Sequence, residues 1–332
     1  MEKTNLQKKG IASYWLVAMF MAISFGIAFI TSGILFFLQA PALEPTFEKT
    51  AKKWEDRIVK IECSDAQSTG FIMESKKVDG KNYLYIVTTE HGVRYSSYFA
   101  TANIDGNYYS LEPLSLNADI DVAIFRFEYE GNYTLPTVDN VSVAEEVMAI
   151  GFPRNESLTT EVGYVNKTAY VDENSSLSAL LCYDVSAYVQ SGMSGCPILS
   201  KDGKLIGIGA RTKVGNISGE QVIFSSDNYI VPAKILFAEY DRVTNHKTKP
   251  SAKYSVSLEN GSIVVSVADK KAVFQNDTLT IDGKKVEKVA NKNVENVIDF
   301  VEQISYYENR NSNGEVKVQL EDGELYLRVI NE

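Results

Sequence analysis

The sequence predicts an exported, membrane-anchored protein in which an all-β domain is followed by a small α+β domain. Three observations support this prediction: a long uncharged apolar run near the N-terminus, many short β-type runs separated by turn residues, and a final segment in which strands surround one helix. The 332 residues leave room for a membrane segment and two domains. Hydrophobic residues make up 45% of the chain, which is ordinary for a protein with a packed core.

The membrane segment is the run from residue 11 to residue 38, which contains no charged side chain. A helix needs about 20 apolar residues to cross a bilayer, so this run is long enough. Lys3, Lys8 and Lys9 precede it, and the positive-inside rule therefore leaves residues 1–10 in the cytoplasm. We expect a transmembrane helix at 11–39 in the plasma membrane, a tether at 40–53, and the rest of the chain outside, in a periplasmic or extracellular space.

A cleaved signal peptide is the alternative interpretation of this segment. Ala40, Pro41 and Ala42 imitate an A-x-A cleavage site. The apolar run is longer than the roughly 7 to 15 residues of a typical signal-peptide core, which favours the anchor.

The next segment, residues 54–243, is predicted to be all-β. Short strands at close spacing with Gly, Asn, Asp and Pro between them are typical of a barrel or sandwich. The clearest runs are residues 57–63, 70–73, 83–88, 122–127, 147–151 and 204–209. Apolar residues at helical spacing predict one closing helix at 232–243, and the polar stretch 244–252 is expected to be a linker.

The C-terminal segment, residues 253–332, is predicted to form a small α+β domain. Its expected strands are residues 262–267, 278–281, 315–320 and 325–329, with a helix at 294–304.

Composition excludes some partners and cofactors. The net charge of -10 and the lack of a Lys/Arg cluster argue against a nucleic-acid partner. The three cysteines, Cys63, Cys182 and Cys196, show no C-x-x-C spacing typical of a zinc or redox site. We expect no cofactor or metal and three small buried thiols, with a single disulfide as the alternative.

Candidates for amide hydrolysis occur in a suggestive order. This chemistry needs a nucleophile, a base, a group that orients the base, and donors for the developing oxyanion. Ser194 lies between Gly192 and Gly195 in QSGMSGCPIL, His91 follows the apolar run YLYIVTT, and Asp121 opens the run DVAIFRF. Each match is weak alone, because a serine in a turn, a lone histidine and an aspartate before a strand are all common. Their order and strand contexts together favour a catalytic triad.

These segments resemble the HtrA/Deg family of bacterial proteases. The matching motifs are TTEHGV, DVAIF, GMSGCP, STGFIM, AIGFP, GKLIGIGAR and YIVP, and they recur in register over residues 54–243. The resemblance implies a trypsin-like double β-barrel and a serine endopeptidase activity. Ser194 would be the nucleophile, His91 the general base and then acid, and Asp121 the group that fixes the imidazole tautomer. The backbone N–H groups of Gly192 and Ser194 would form the oxyanion hole.

The same resemblance implies how substrate binds. The backbone of Ala210, Arg211 and Thr212 would pair with an extended peptide. Tyr188 would lie at the base of the specificity pocket, where a trypsin needs an acid, so cleavage after Lys or Arg is not expected. A small apolar side chain is expected there instead.

Two residues depart from the family pattern around the nucleophile. Met193 replaces an Asn, and Cys196 replaces a Gly and adds a side chain behind Ser194. An inactive relative that serves as a scaffold or peptide-binding protein is therefore the alternative function. A lipid or glycan hydrolase is disfavoured, because Ser194 lacks the strand-to-helix elbow of the α/β-hydrolases.

The C-terminal segment resembles an HtrA-type PDZ domain in the stretch AVFQNDTLTIDGKKV. The matching positions are Asp277, Leu279, Ile281, Asp282, Gly283 and Val286. The stretch YSVSL lacks the glycine that helps backbone N–H groups converge on a peptide C-terminus, so peptide capture and a purely structural cap both stay open. The family resemblance further implies unfolded or exported proteins as substrates, a homotrimer, and a role in protein quality control or stress signalling.

Overall fold

The computed structural model describes residues 19, 21–26, 45–64, 66–95, 99–173, 179–218 and 220–330. The chain forms two compact units, Met1–Pro45 and Thr46–Glu332. In the first unit, residues 21–26 are helical; residues 1–10 and most of the predicted transmembrane helix lie outside the described residues. Among the residues that are described, no helix has the length and apolar character needed to cross a membrane.

The second unit begins with helix α1 (Phe47–Trp54). The Trp54 indole N–H donates to the carbonyl oxygen of Gly203 at 3.0 Å, and the Thr50 hydroxyl donates to that of Lys201 at 2.8 Å. Trp54 is only 2% exposed. The second unit therefore starts within the stretch predicted to be a tether, because α1 packs its apolar side against a distant turn.

The first sheet is antiparallel and has the strand order β5-β4-β1-β2-β3-β7-β6. Ile61, Ile86 and Phe125 are fully buried in its core. Its strands are β1 (Ile58–Cys63), β2 (Ala66–Val78), β3 (Lys81–Thr88), β4 (Thr101–Ile104), β5 (Asn107–Ser110), β6 (Glu112–Asn117) and β7 (Val122–Glu128).

The second sheet closes into a six-stranded barrel with the order β10-β13-β12-β11-β8-β9. Its strands are β8 (Glu146–Gly151), β9 (Thr159–Asp172), β10 (Leu180–Val185), β11 (Pro197–Ser200), β12 (Leu205–Ile217) and β13 (Glu220–Pro232). The predicted double barrel is thus one closed barrel beside a sheet whose end strands β5 and β6 do not pair in the described part of the chain. Among the described residues, the short β5 pairs with β4 alone and β6 with β7 alone, so no ladder closes the first sheet there.

Helix α2 (Ala233–Asn245) follows the barrel and confirms the predicted closing helix. It buries Leu236 and Tyr240, and it also buries the charged side chain of Glu239. Glu239 accepts a hydrogen bond from Ser115 of β6 at 2.5 Å and pairs with Arg242 at 2.6 Å. This satisfied carboxylate fastens α2 to the first sheet.

The C-terminal part forms an antiparallel sheet, β14-β15-β16-β17-β18-β20-β21, with β19 paired to β18, and one helix. The helix and the predicted strands are confirmed within a few residues. The turn between β16 and β17 places Asn276 and Asp277 at φ 49° and 57°, the left-handed region that such tight hairpins require. The elements are β14 (Ser255–Glu259), β15 (Ser262–Val267), β16 (Lys270–Gln275), β17 (Thr278–Ile281), β18 (Lys284–Val289), β19 (Lys292–Asn293), α3 (Val297–Ser305), β20 (Glu315–Leu320) and β21 (Gly323–Arg328).

Candidate active site

His91 lies in a turn just beyond the end of β3. This turn is on the side of the first sheet that is next to the barrel. The turn is closed by hydrogen bonds from the backbone N–H groups of Val93 and Arg94 to the carbonyl oxygen of Glu90. The imidazole side chain is 30% exposed. The ring is therefore partly accessible to solvent, while the turn fixes the position of its backbone.

Asp121 holds the inner side of this imidazole. Its Oδ2 is 2.8 Å from His91 Nδ1, and its Oδ1 accepts the His91 backbone N–H at 2.9 Å. The residue is 1% exposed and has φ 54°, an uncommon left-handed conformation that aspartate tolerates better than most residues. A buried carboxylate that accepts both hydrogen bonds fixes the proton of neutral His91 on Nδ1 and leaves Nε2 as an acceptor.

Ser194 completes the constellation from the barrel side. Its Oγ is 3.1 Å from His91 Nε2 and 3.4 Å from the carbonyl oxygen of Ala210. Two backbone hydrogen bonds fix this loop. The Ser194 carbonyl oxygen accepts the Thr69 N–H at 2.9 Å, and the Gly195 N–H donates to the Gly209 carbonyl oxygen at 2.7 Å. The structure thus brings together the three residues that the sequence analysis singled out.

The loop that carries the hydroxyl also contains the backbone N–H groups of Gly192 and Ser194. Within the described chain, neither N–H donates a hydrogen bond to another protein group. Gly192 has φ 94°, and a Cβ there would lie 2.6 Å from Arg154 N, so only glycine fits. Free donors in a fixed loop are what an oxyanion site requires.

Thr69 supports this loop and was missed by sequence reasoning about the site. Its hydroxyl donates to the Gly192 carbonyl oxygen at 2.9 Å and accepts the Phe152 N–H at 2.9 Å. The residue lies in the STGFIM match on β2, which pointed to the fold but not to this contact. Thr69 therefore connects the first sheet to the loop that carries the nucleophile candidate.

The predicted substrate strand, Ala210 to Thr212, lies at an irregularity of β12. The pairing register with β13 shifts between Gly209 and Arg211, so Ala210 bulges out of the ladder. The Thr212 hydroxyl bonds the carbonyl oxygen of Val189 and the side chain of Asn228, both at 2.7 Å. Tyr188, next to Val189, is half-buried. These bonds hold the substrate strand against the loop that carries Tyr188.

Arg211 has a role beyond the one predicted for its backbone. Its guanidinium lies 3.0 Å from Asp172 Oδ2 and 3.7 Å from Asp121 Oδ2. Both carboxylates are nearly fully buried, at 2% and 1% exposure. Arg211 therefore places a positive charge between the carboxylates of Asp172 and Asp121.

Replacing Arg211 with Met should lower the free energy of unfolding by about 3 kcal/mol, since breaking a buried ion pair leaves an uncompensated charge. Urea denaturation measures the change. Arg211→Lys keeps the charge and should recover part of the loss. Equal stability of the Met variant and the parent would show that the guanidinium does not support these carboxylates.

The two residues that depart from the family pattern both point into the protein core. Met193 and Cys196 are both fully buried. A Cβ at Gly151 would lie 2.8 Å from the Cys196 Cβ, and one at Gly209 would lie 3.0 Å from its Sγ, so these two glycines make room for the thiol. Burial raises the pKa of Cys196 to about 12, so the thiol stays protonated beneath Ser194. All three cysteines are free and buried, as the sequence analysis expected.

Comparison with known proteins agrees with this geometry. Residues 68–208 match the family model of the trypsin-like peptidase domain. The chain is 24% identical over 227 residues to the serine protease Do-like HtrA of Bacillus subtilis (strain 168), covering 64% of this chain and 46% of that protein. It is 32% identical over 136 residues to the magnetosome formation protease MamE of Paramagnetospirillum magneticum, covering 39% and 18% respectively. The chain thus spans less than half the length of these curated relatives.

A solved structure shares the fold over most of both chains. The HtrA-type protease AlgW with a tripeptide superimposes with a TM-score of 0.56 at 14% identity, covering 85% of this chain and 95% of that chain. The family model, the protease relatives and this shared fold agree with the motifs found in the sequence. Residues 68–208 therefore form a trypsin-like peptidase domain, and the relatives that the chain resembles include HtrA-type serine proteases.

Proposed function

We propose that the chain is a serine endopeptidase that hydrolyses peptide bonds through Ser194, His91 and Asp121. The observation that carries this proposal is one continuous set of contacts. Ser194 Oγ is 3.1 Å from His91 Nε2, and His91 Nδ1 is 2.8 Å from the buried Asp121 carboxylate. Nucleophile, base and orienting group are within the reach that acyl transfer requires.

The mechanism follows from these contacts. His91 Nε2 takes the proton of Ser194 Oγ as the oxygen attacks the scissile carbonyl carbon, and Asp121 stabilises the imidazolium that forms. The N–H groups of Gly192 and Ser194 donate to the oxyanion, each worth about 3 kcal/mol to the transition state. His91 then protonates the leaving amine, and water hydrolyses the acyl-enzyme by the same steps in reverse.

Peptide binding is assigned to the bulged part of β12. Because the register with β13 shifts around Ala210, the backbone of residues 210–212 can pair with an extended substrate strand. Tyr188 would close the base of the specificity pocket and exclude long basic side chains. A small apolar residue before the scissile bond fits this arrangement best.

The wider biological role rests on the family resemblance. We assign the substrates to unfolded or exported proteins, the location to the outer face of the plasma membrane with a cytoplasmic N-terminus, and the assembly to a homotrimer. Protein quality control or stress signalling is the corresponding role. The C-terminal sheet would be a PDZ-like domain, in which β14 either takes a peptide strand or caps the protease.

Labelling with a fluorophosphonate probe tests the proposal directly. The purified full-length chain in detergent should form one covalent adduct at Ser194, located by peptide mass spectrometry. Labelling should disappear in Ser194→Ala and persist in Ser200→Ala, which changes a buried serine of β11 whose hydroxyl donates to Asp202. A chain that hydrolyses neither casein nor peptides and takes up no probe would instead be the inactive scaffold considered above.

A further inference from the structure

Three potential metal-binding side chains, none of them part of the candidate active site, meet at the end of α2. Asp241 lies in the last turn of α2, and His246 directly follows the helix. Glu308 lies in the short 3-10 turn Tyr307–Asn309 that follows α3. One ligand atom from each of these three residues lies within 4.8 Å of the other two.

Two of the three distances within this cluster lie near those of tetrahedral coordination. His246 Nε2 is 2.9 Å from Glu308 Oε1 and 3.8 Å from Asp241 Oδ2. Zinc bonds of about 2.0 to 2.1 Å to nitrogen and oxygen place neighbouring ligand atoms about 3.4 Å apart at a tetrahedral centre. The two observed distances lie on either side of that value. Small side-chain adjustments would therefore seat an ion between the three groups.

The electrostatics of the cluster also favour a cation. In the described part of the chain, the only ion-pair partner of Asp241 and of Glu308 is His246. Asp241 Oδ2 is buried and has no hydrogen-bond partner, although Oδ1 accepts the Asn245 amide at 2.6 Å. A buried carboxylate oxygen without a donor is costly, and a metal ion would satisfy it.

The nearby arginine and lysine side chains interact with groups other than Asp241 and Glu308. Arg242 is bound to Glu239 at 2.6 Å. Arg310 donates to the carbonyl oxygens of Pro250 and Ser305. The Lys249 ammonium lies over the ring of Tyr307 at 5.5 Å. None of these groups neutralises the pair formed by Asp241 and Glu308.

We propose that Asp241, His246 and Glu308 bind one divalent transition-metal ion, of which Zn²⁺ suits the mixed nitrogen and oxygen ligands best. The Glu308 side chain is 56% exposed, so the fourth position opens to water. The ion would fasten the end of the protease helix α2 to the segment after α3 in the C-terminal part. Binding would then add to the stability of the second unit.

Spacing rules could not find this site, because the third ligand is remote. His246 and Glu308 are 62 positions apart and belong to different parts of the fold. The sequence analysis expected no metal, since only C-x-x-C-like spacings were considered. The structure is what brings the three ligands together.

Calorimetric titration of the metal-stripped full-length chain with Zn²⁺ tests the proposal. We expect one equivalent to bind and the melting temperature to rise with Zn²⁺ concentration. Glu308→Gln and Asp241→Asn should each weaken binding at least about tenfold, and His246→Gln should abolish it. Glu308 is exposed, so its variant is expected to fold normally, and circular dichroism checks this.

The matched control is His91→Gln, which removes the only other histidine of the chain. It should leave Zn²⁺ binding unchanged. Loss of binding in His91→Gln with retention in His246→Gln would overturn the proposal, as would the lack of any heat or melting shift with the parent. Neither readout needs proteolysis, so this test and that of the proposed function can fail separately.

Discussion

Asp121→Asn is expected to lower kcat by about 10⁴ at neutral pH with little change in fold. The asparagine amide can still accept the His91 backbone N–H with its oxygen, which places its NH₂ against Nδ1. His91 Nδ1 must then act as an acceptor, so the ring proton moves to Nε2. With a proton on Nε2, the imidazole can no longer take one from Ser194.

Hydrolysis of fluorescein-labelled casein measures this effect, and the rate of fluorophosphonate labelling gives a second readout. The matched control is Asp119→Asn, which changes a neighbouring carboxylate that is 52% exposed and pairs with Lys253. That variant should keep most of the parent activity. Similar activity of Asp121→Asn and the parent would contradict the role assigned to His91 as base.

Gly195→Ala is expected to destabilise the folded unit by about 4 kcal/mol, from overpacking and a strained backbone together. The residue has φ 88°. An added Cβ would overlap the carbonyl oxygen of Thr69 and the Thr88 hydroxyl, and would lie 2.9 Å from the Thr88 Cα. These are backbone and buried atoms of the first sheet, which cannot move aside cheaply.

Urea denaturation of this variant should be compared with that of Gly80→Ala. Gly80 has φ 84°, but a Cβ there meets nothing within 4 Å, so this control carries the backbone strain alone. Gly80→Ala should lower the free energy of unfolding by about 1 kcal/mol. Equal losses in the two variants would mean that the contact between the nucleophile loop and the first sheet is loose.

The sequence led to His91, Asp121 and Ser194 because each follows or opens a recognisable apolar run, and the order of the three is itself informative. The supporting contacts had no such signal. Thr69 meets Gly192 across 123 positions, and no local pattern reports that pairing. The guanidinium of Arg211 reaches Asp172 and Asp121 beside the irregularity in β12, which no local pattern predicts.

Helix α1, at the start of the second unit, also depends on a long-range contact that has no local sequence signal. Residues 47–54 contain four charged side chains, which favours a solvated tether when the sequence is considered alone. Their helix is stable because Trp54 finds the Gly203 carbonyl 149 positions later. Amphipathic segments of this length depend on tertiary packing more than on local propensity.

The burial of the three cysteine thiols has a consequence for how the chain folds. Burial raises the pKa of Cys63 to about 11 and keeps the other two thiols protonated as well, so thiolates that could exchange with other thiols are scarce. No cross-link has to be formed or reshuffled for the chain to reach this fold. The stability of this fold is therefore expected to be the same with and without a reducing agent.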